Sequence, residues 1–406
     1  MFKLSKKELK TITGFFLIWR FLLFLVAFLA PNFLAYRPSF PYAQTLSQYK
    51  VPAWIYSFAN FDGIHYLTIA QKGYFGTGLI QAFFPFYSIL IKILTIFSQN
   101  YLISSLLISN IFAYLFILAF YSLVKQEFKD KVNREAREGA LGQKIAKLSL
   151  IVLLSFPTSF YLGASYSESL FLFLTISSLL LIKKENWLLA SVFAALASAT
   201  RLVGIFLFPL LLVELWQAKT SKKDKNYLEL TQKFIKKYWH LILTTLISTL
   251  GLVGYMLYLK IRFDDPLYFL HVQSEFGAGR QESIILYPQV IYRYIKILLT
   301  ARPFDFKYFS YVQDFISSTI FLLILLFSYK KVKSSYLVFS LLAFFLPTLT
   351  GTFSSMPRYI LVCFPIFIYL ARFFTKRKLA WYLYLTISTI LLIINTMLFV
   401  QGYWVA

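Results

Sequence analysis

Residues 11–31 read TITGFFLIWRFLLFLVAFLAP, with Lys3, Lys6, Lys7 and Lys10 just ahead of them. A helix needs about 20 apolar residues to cross the hydrocarbon core of a bilayer. This run is long enough, and Arg20 is its one charge. It exceeds a signal-peptide core and has no small-residue cleavage site, so it reads as an uncleaved span with basic residues inside.

The rest of the chain repeats that pattern. Further apolar runs cover 101–124, 145–163, 166–182, 186–200, 204–217, 239–260, 312–329, 335–351, 358–374 and 379–400. They predict an all-α, polytopic transmembrane protein of about 11 spans. Composition agrees: 59% of the 406 residues are hydrophobic and only 14% charged, against about a quarter charged in soluble domains. The run 84–98 is short and carries Lys92, so it predicts a helix lying on the membrane surface.

That choice fixes the topology. Four basic residues precede residue 11, seven lie in 125–147, two at 183–184, seven in 218–237, three in 330–333 and four in 372–378, together 27 of the 41. All of these fall on the inner side, as the positive-inside rule requires. The net charge of +24 is therefore a topology and anionic-lipid signal, and does not point to nucleic acid. The amino terminus is expected inside and the carboxyl terminus outside. Two long outer loops result, 32–100 and 261–311, and loops of that length are usually functional. The expected organisation is a membrane module over 1–260, then the second outer loop and carboxyl-terminal helices over 261–406.

Several chemistries lack their signatures. Cys363 is the only cysteine, which excludes a disulfide framework. His65, His240 and His271 show no metalloprotease spacing, and neither GxxxxGK[ST] nor a complete dinucleotide fingerprint is present. A cytosolic nucleotide-sugar donor and coupling to ATP are therefore not expected. No internal repeat is visible, which weakens a transporter reading.

The charged residues in the outer segments are the functional candidates. The first loop contains Asn60-Phe61-Asp62-Gly63-Ile64-His65-Tyr66, with Gly73 downstream. Spacing at Ile64, Leu67 and Ala70 predicts a helix that starts near Asp62. Asp62 reads either as its N-cap or as a catalytic carboxylate facing an acceptor. His65 shares its face. Tyr166-Ser167-Glu168-Ser169 opens another helix, where Glu168 suits the dipole or binds substrate. Arg201, between two apolar runs, is a site candidate by its position, with snorkelling to the interface as the structural alternative. Arg358 follows Pro357 at a helix start, where a cation opposes the dipole. Either a bound anion or an ion pair with an outer acid would justify it. Asp264 and Asp265, with His271 and Arg280, form a weaker acceptor or divalent-cation region, since Asp-Asp-Pro is also ordinary turn chemistry.

The segments Phe61-Asp62-Gly63-Ile64-His65-Tyr66, Ala82-Phe83-Phe84-Pro85-Phe86-Tyr87, Tyr166-Ser167-Glu168-Ser169-Leu170-Phe171, Ala199-Thr200-Arg201 and Arg358-Tyr359 occur in an order that resembles the GPI mannosyltransferase II (PIG-V-like) family. That family is similar to the GT-C superfamily of polyprenyl-phosphate-sugar-dependent glycosyltransferases. The resemblance covers most of the chain, with little in 210–340. It implies a GT-C-like fold whose first outer loop carries surface helices. It also implies that Asp62 binds or deprotonates the acceptor hydroxyl, and that Arg201 and Arg358, with Tyr359 beside them, face the donor phosphate. Gly63 stands where an alanine is common, and Ser88 replaces a second proline.

The expected reaction is transfer of a hexose, most simply mannose, from a polyprenyl-phosphate donor to a lipid- or glycan-linked hydroxyl on the outer face of a prokaryotic plasma membrane. Asp62 would act as base, with no cofactor required and a divalent cation optional. The competing expectation is a transporter or flippase of lipid-linked sugars.

Overall fold

The computed structural model describes residues 4–129, 135–220, 227–277, 279–303 and 305–405. Parts of the basic segments expected on the inner side, 130–134 and 221–226, lie outside the described residues, as do Lys3, Ala278 and Phe304.

Among the described residues the chain is helical and has no strand. The helices are α1 (Lys6–Leu29), α2 (Ala53–Tyr56), α3 (Asp62–Lys72), α4 (Pro85–Ser98), α5 (Tyr101–Lys129), α6 (Glu135–Leu154), α7 (Glu168–Ile182), α8 (Trp187–Ser198) and α9 (Leu207–Lys219). They continue as α10 (Tyr227–Leu246), α11 (Leu250–Phe263), α12 (Tyr268–His271), α13 (Tyr287–Thr300), α14 (Phe306–Phe327), α15 (Ser334–Thr348), α16 (Met356–Ile360), α17 (Pro365–Phe374) and α18 (Lys378–Val400).

Among the described residues six stretches are long and apolar enough to cross a membrane: Lys6–Asn32, Tyr101–Phe128, Leu202–Lys219, Leu228–Phe263, Phe306–Phe327 and Lys378–Val400. They correspond to six of the eleven expected runs. The other five are shorter or interrupted. The run 145–163 stops as helix at Leu154, ahead of Pro157, and the run 358–374 breaks at Pro365 into α16 and α17. Proline lacks the N–H that would continue the ladder. The helix α7 is only 15 residues long, and all of them except Phe173 are buried. A helix apolar all round sits inside a bundle. It packs against α5 and α8, and α5 packs in turn against α6.

One apolar core runs through both halves of the sequence, from Trp19 and Leu23 to Phe367 and Phe399. Charged pairs close it at one end. Glu127 bridges Lys183 and Lys333 at 3.0 and 3.5 Å. This cluster lies 18 residues beyond Ser109 along α5, roughly 27 Å at the helical rise. Ser109 belongs to the opposite end, where its hydroxyl donates to the Tyr166 carbonyl.

That opposite end carries both long loops. The run 84–98 forms α4, whose Ile89, Ile93, Ile96 and Phe97 are exposed. The second loop contains a helix that periodicity missed: α13 buries Val290 and Tyr294 while exposing Tyr292, Ile295 and Leu299. Residues after α18 fold back on the first loop. The amides of Arg37 and Ser39 donate to the carbonyls of Gln401 and Gly402, each at 2.9 Å. Gly402 has φ +84° and lies so close to Pro38 that a Cβ would fall 2.6 Å from its Cα, so only glycine fits.

Candidate functional site

Three chain segments meet beneath the first loop. Asp62 is the first residue of α3, and Glu168 is the first of α7. Arg358 lies in the five-residue helix α16. Arg358 donates from Nη1 to Asp62 Oδ2 and from Nε to Glu168 Oε1, both at 2.5 Å. Arg201 donates from Nη1 to the same Glu168 oxygen at 2.5 Å and to Ser167 Oγ at 3.4 Å. Two carboxylates therefore balance two guanidinium groups.

The backbone at both approaches is unusual. Phe61, just before Asp62, has φ +59° and ψ −121°, and Ser355, three residues before Arg358, has φ +67°. Positive φ costs a bulky residue free energy, and such residues persist where surrounding packing imposes them. The Phe61 ring is buried against Phe40, Phe399 and Trp404, with centroids 4.5–5.6 Å away. Asn60 is fixed by the carbonyls of Phe399 and Val400, to which its Nδ2 donates at 2.8 and 3.2 Å. The Tyr166 hydroxyl donates to the Asn60 carbonyl at 2.8 Å and accepts from the Asp62 amide at 3.2 Å. The Arg358 guanidinium also lies over the Tyr166 and Tyr161 rings, 4.6 and 5.0 Å from their centroids, which adds cation–π attraction.

These contacts settle the structural alternatives. The Asp62 side chain makes no capping hydrogen bond; Phe61 holds the N-cap position, so the N-cap reading is corrected. Pro357 is the second residue of α16, one later than expected. Its neighbour Arg358 meets two carboxylates, which offset the unfavourable dipole. Arg201 is extended at the start of a 3-10 turn over Leu202–Phe206 and pairs inward with Glu168 rather than snorkelling.

Glu168 is 0% exposed, whereas the Asp62 side chain keeps 22% of its surface open. A ligand can therefore reach Asp62 and cannot reach Glu168 without movement. Burial raises the Asp62 pKa, but the charge and hydrogen bond of Arg358 outweigh it, aided by His65 and Arg280, and hold the carboxyl below its ordinary range. His65 stacks on Phe83 with centroids 5.0 Å apart. Burial lowers its pKa, and Asp62 only partly restores it.

The remaining expected site residues separate into two groups. Arg280 is near enough to act electrostatically on Asp62. Tyr359 packs against the core and contributes its carbonyl to Cys363 Sγ. Asp264 adopts φ +59° at the end of α11 and pairs with Lys260, while Asp265 accepts from the Leu267 amide and pairs with His271 at 2.6 Å. This is turn chemistry at an exposed surface. Among the described residues no group of three or more His, Cys, Asp or Glu side chains is placed to hold a metal ion.

The structure adds Asn60, Tyr161, Tyr166 and Asp314 to the site. Asp314 is 2% exposed on α14, close to the Ser355–Met356 turn, and its Oδ1 has no hydrogen-bond partner. Thr158 braces the turn that presents Arg358, its hydroxyl donating to the Pro357 carbonyl at 2.8 Å. An acid inside the apolar run 312–329 was the signal for Asp314.

No protein-family model and no curated protein matches the chain.

Proposed function

We infer that the chain is an integral membrane glycosyltransferase acting from the outer face, and that it moves a hexose, mannose in the narrower reading, from a polyprenyl-phosphate donor to a hydroxyl of a lipid- or glycan-linked acceptor. The observation that carries this reading is the accessible Asp62 carboxylate tied to Arg358 beneath an outer loop. The reading takes α6, α7, α8, α15 and α17 into the membrane bundle beside the six long stretches, about eleven spans of GT-C-like arrangement in a prokaryotic plasma membrane, with α4 on its surface.

The chemistry is a single displacement with inversion. The acceptor oxygen attacks the anomeric carbon, the bond to the phosphate oxygen breaks, and the hydroxyl proton passes to Asp62. A carboxylate held below its usual pKa is a weak base, and the donor resolves that difficulty. Its phosphate competes for the Arg358 fork. As Arg358 turns to the phosphate, Asp62 loses the interaction that depresses its pKa, and burial makes it more basic. Arg358, with Arg201 behind Glu168, then offsets the charge on the leaving phosphate. The resting ion pair is thus the donor-free state of a base that binding switches on.

The test is incubation of the purified protein with radiolabelled polyprenyl-phosphate sugars and membrane glycolipids. A new glycosidic product that disappears with Asp62→Asn supports the reading. Movement of lipid-linked sugar across vesicles without a new bond would replace it with a flippase.

A further inference from the structure

A groove of about 430 Å³ opens between α4 and α11, with the carboxyl-terminal half of α3 as its floor. Ser88, Ile89 and Lys92 line it from α4, and Gly251, Gly254 and Tyr258 from α11, each set at the three- and four-residue spacing of one helix face. The two glycines do different things. A Cβ on Gly251 would fall 2.0 Å from the Ala195 carbonyl oxygen and 2.5 Å from the Ala199 nitrogen, so this glycine lets α11 press against the end of α8. A Cβ on Gly254 would meet no heavy atom within 4 Å. Its missing side chain leaves space and serves no packing.

Lys92 is the only charge in α4, PFYSILIKILTIFS. It is exposed, and among the described residues no carboxylate pairs with it. Its neighbours Ile89, Ile93 and Ile96 face outward, an apolar surface that a bilayer covers. A lysine in such surroundings turns its ammonium to the phosphate level of the membrane. The groove is separate from the Asp62 cluster: none of Asp62, Glu168, Arg201 and Arg358 lines it. Between them stands Tyr66, whose carbonyl accepts from Ser88 Oγ at 3.0 Å and whose hydroxyl meets Ser167 Oγ at 2.9 Å.

We propose that this groove seats one anionic phospholipid of the bilayer, its phosphodiester on Lys92 and one acyl chain along Gly254 and Tyr255. The lipid then braces α4 against α11 and, through Ser88 and Tyr66, steadies the helix that begins at Asp62. The proposal stands whether or not the chain transfers a sugar.

Native mass spectrometry of the full chain in detergent tests it, with phosphatidylglycerol, phosphatidylcholine and a polyprenyl phosphate offered as separate probes and in competition. Wild type should retain one phosphatidylglycerol in preference to phosphatidylcholine. Lys92→Gln should lower that retention about fivefold, the effect of one basic residue at an anionic surface. Gly254→Phe should abolish it by filling the groove. Thermal melting checks that each variant is folded, and the exposed Lys92→Gln keeps the test valid if Gly254→Phe is not. Equal retention of both phospholipids overturns the proposal, as does unchanged retention in Lys92→Gln. Displacement of phosphatidylglycerol by polyprenyl phosphate also overturns it and makes the groove a donor site.

Discussion

Arg201 and Arg358 donate to one and the same oxygen, Oε1 of Glu168, at 2.5 Å each. Two like charges are held side by side by a single buried acid, whose other oxygen, Oε2, has no hydrogen-bond partner. Removing that acid leaves Arg201 without a carboxylate and Arg358 with Asp62 alone. Glu168→Ala is expected to destabilise the fold by about 3–5 kcal/mol, the usual effect of breaking a buried pair from one side. Unfolding in detergent, followed by thermal shift, measures it. A melting point equal to wild type would mean that the arginines find other partners.

Asp62→Asn separates chemistry from architecture. The amide oxygen can still accept from Arg358, and the original side chain makes no cap that would be lost. It cannot take a proton. Transfer should fall by roughly 10²–10⁴, the range for a positioned acid or base, in a protein that still folds, with a melting temperature lowered only by the lost charge of the Arg358 pair. Turnover within a few-fold of wild type would remove Asp62 from the base role.

Arg358→Lys keeps the charge and loses the fork that reaches Asp62 and Glu168 together. It should be impaired in transfer. Arg358→Ala should weaken donor-lipid binding by about 1.5–3 kcal/mol, the range for hydrogen bonds to charged groups. A titration with donor lipid distinguishes this from an effect on stability alone, because a purely structural ion pair would leave the affinity of the folded fraction intact.

The same pair predicts opposite pH responses. In wild type the folded-state pKa of Asp62 is depressed. Its stabilising contribution is therefore full above the unfolded value of about 4 and is lost as pH falls through the lower folded value. In Arg358→Gln the main lowering influence is gone and burial raises the pKa. The ionised carboxylate is then disfavoured, so the variant should gain stability as pH falls from 7 towards 5. Melting curves across that range in which wild type and variant run parallel would contradict the assignment.

Phe61 should invert a familiar ranking. Alanine and glycine at this position both lose the ring contacts with Phe40, Phe399 and Trp404. Glycine alone adopts φ +59° and ψ −121° without strain. Phe61→Gly is therefore expected to be more stable than Phe61→Ala, by about 1–3 kcal/mol. Chemical denaturation of the two variants decides the order.

The site was legible in its parts and illegible in its connections. Asp62, Glu168, Arg201 and Arg358 stand out because ionised groups beside apolar helices are improbable without a purpose. Their pairing did not follow, because Arg358 and Asp62 are 296 residues apart and no local period links them. Asp314 carried the same signal inside an apolar run, but its place beside the Ser355–Met356 turn is revealed only by tertiary packing. The helices at 11–31, 101–124 and 379–400 could be read from length and hydropathy alone. Length misleads for α7, which is shielded by other helices and does not need to match the bilayer thickness. The amphipathic α13 was hidden in a loop because its polar and apolar residues average to a modest hydropathy.

The hydrogen bond from Asn60 to the Phe399 carbonyl ties the approach to Asp62 to a point 339 residues later in the chain. A ribosome adding 5–20 residues per second needs roughly 20–70 s to cover that interval. Throughout that time the Asn60 Nδ2 lacks its carbonyl acceptors, and the Phe61 ring lacks the Phe399 and Trp404 surfaces that hold its backbone in a costly conformation. The Asp62 end of the protein is thus assembled last, although one of its two stretches of sequence is made first. A nascent chain halted before α18 would carry every charged group of the cluster and still lack the carbonyls and rings that hold the approach to Asp62.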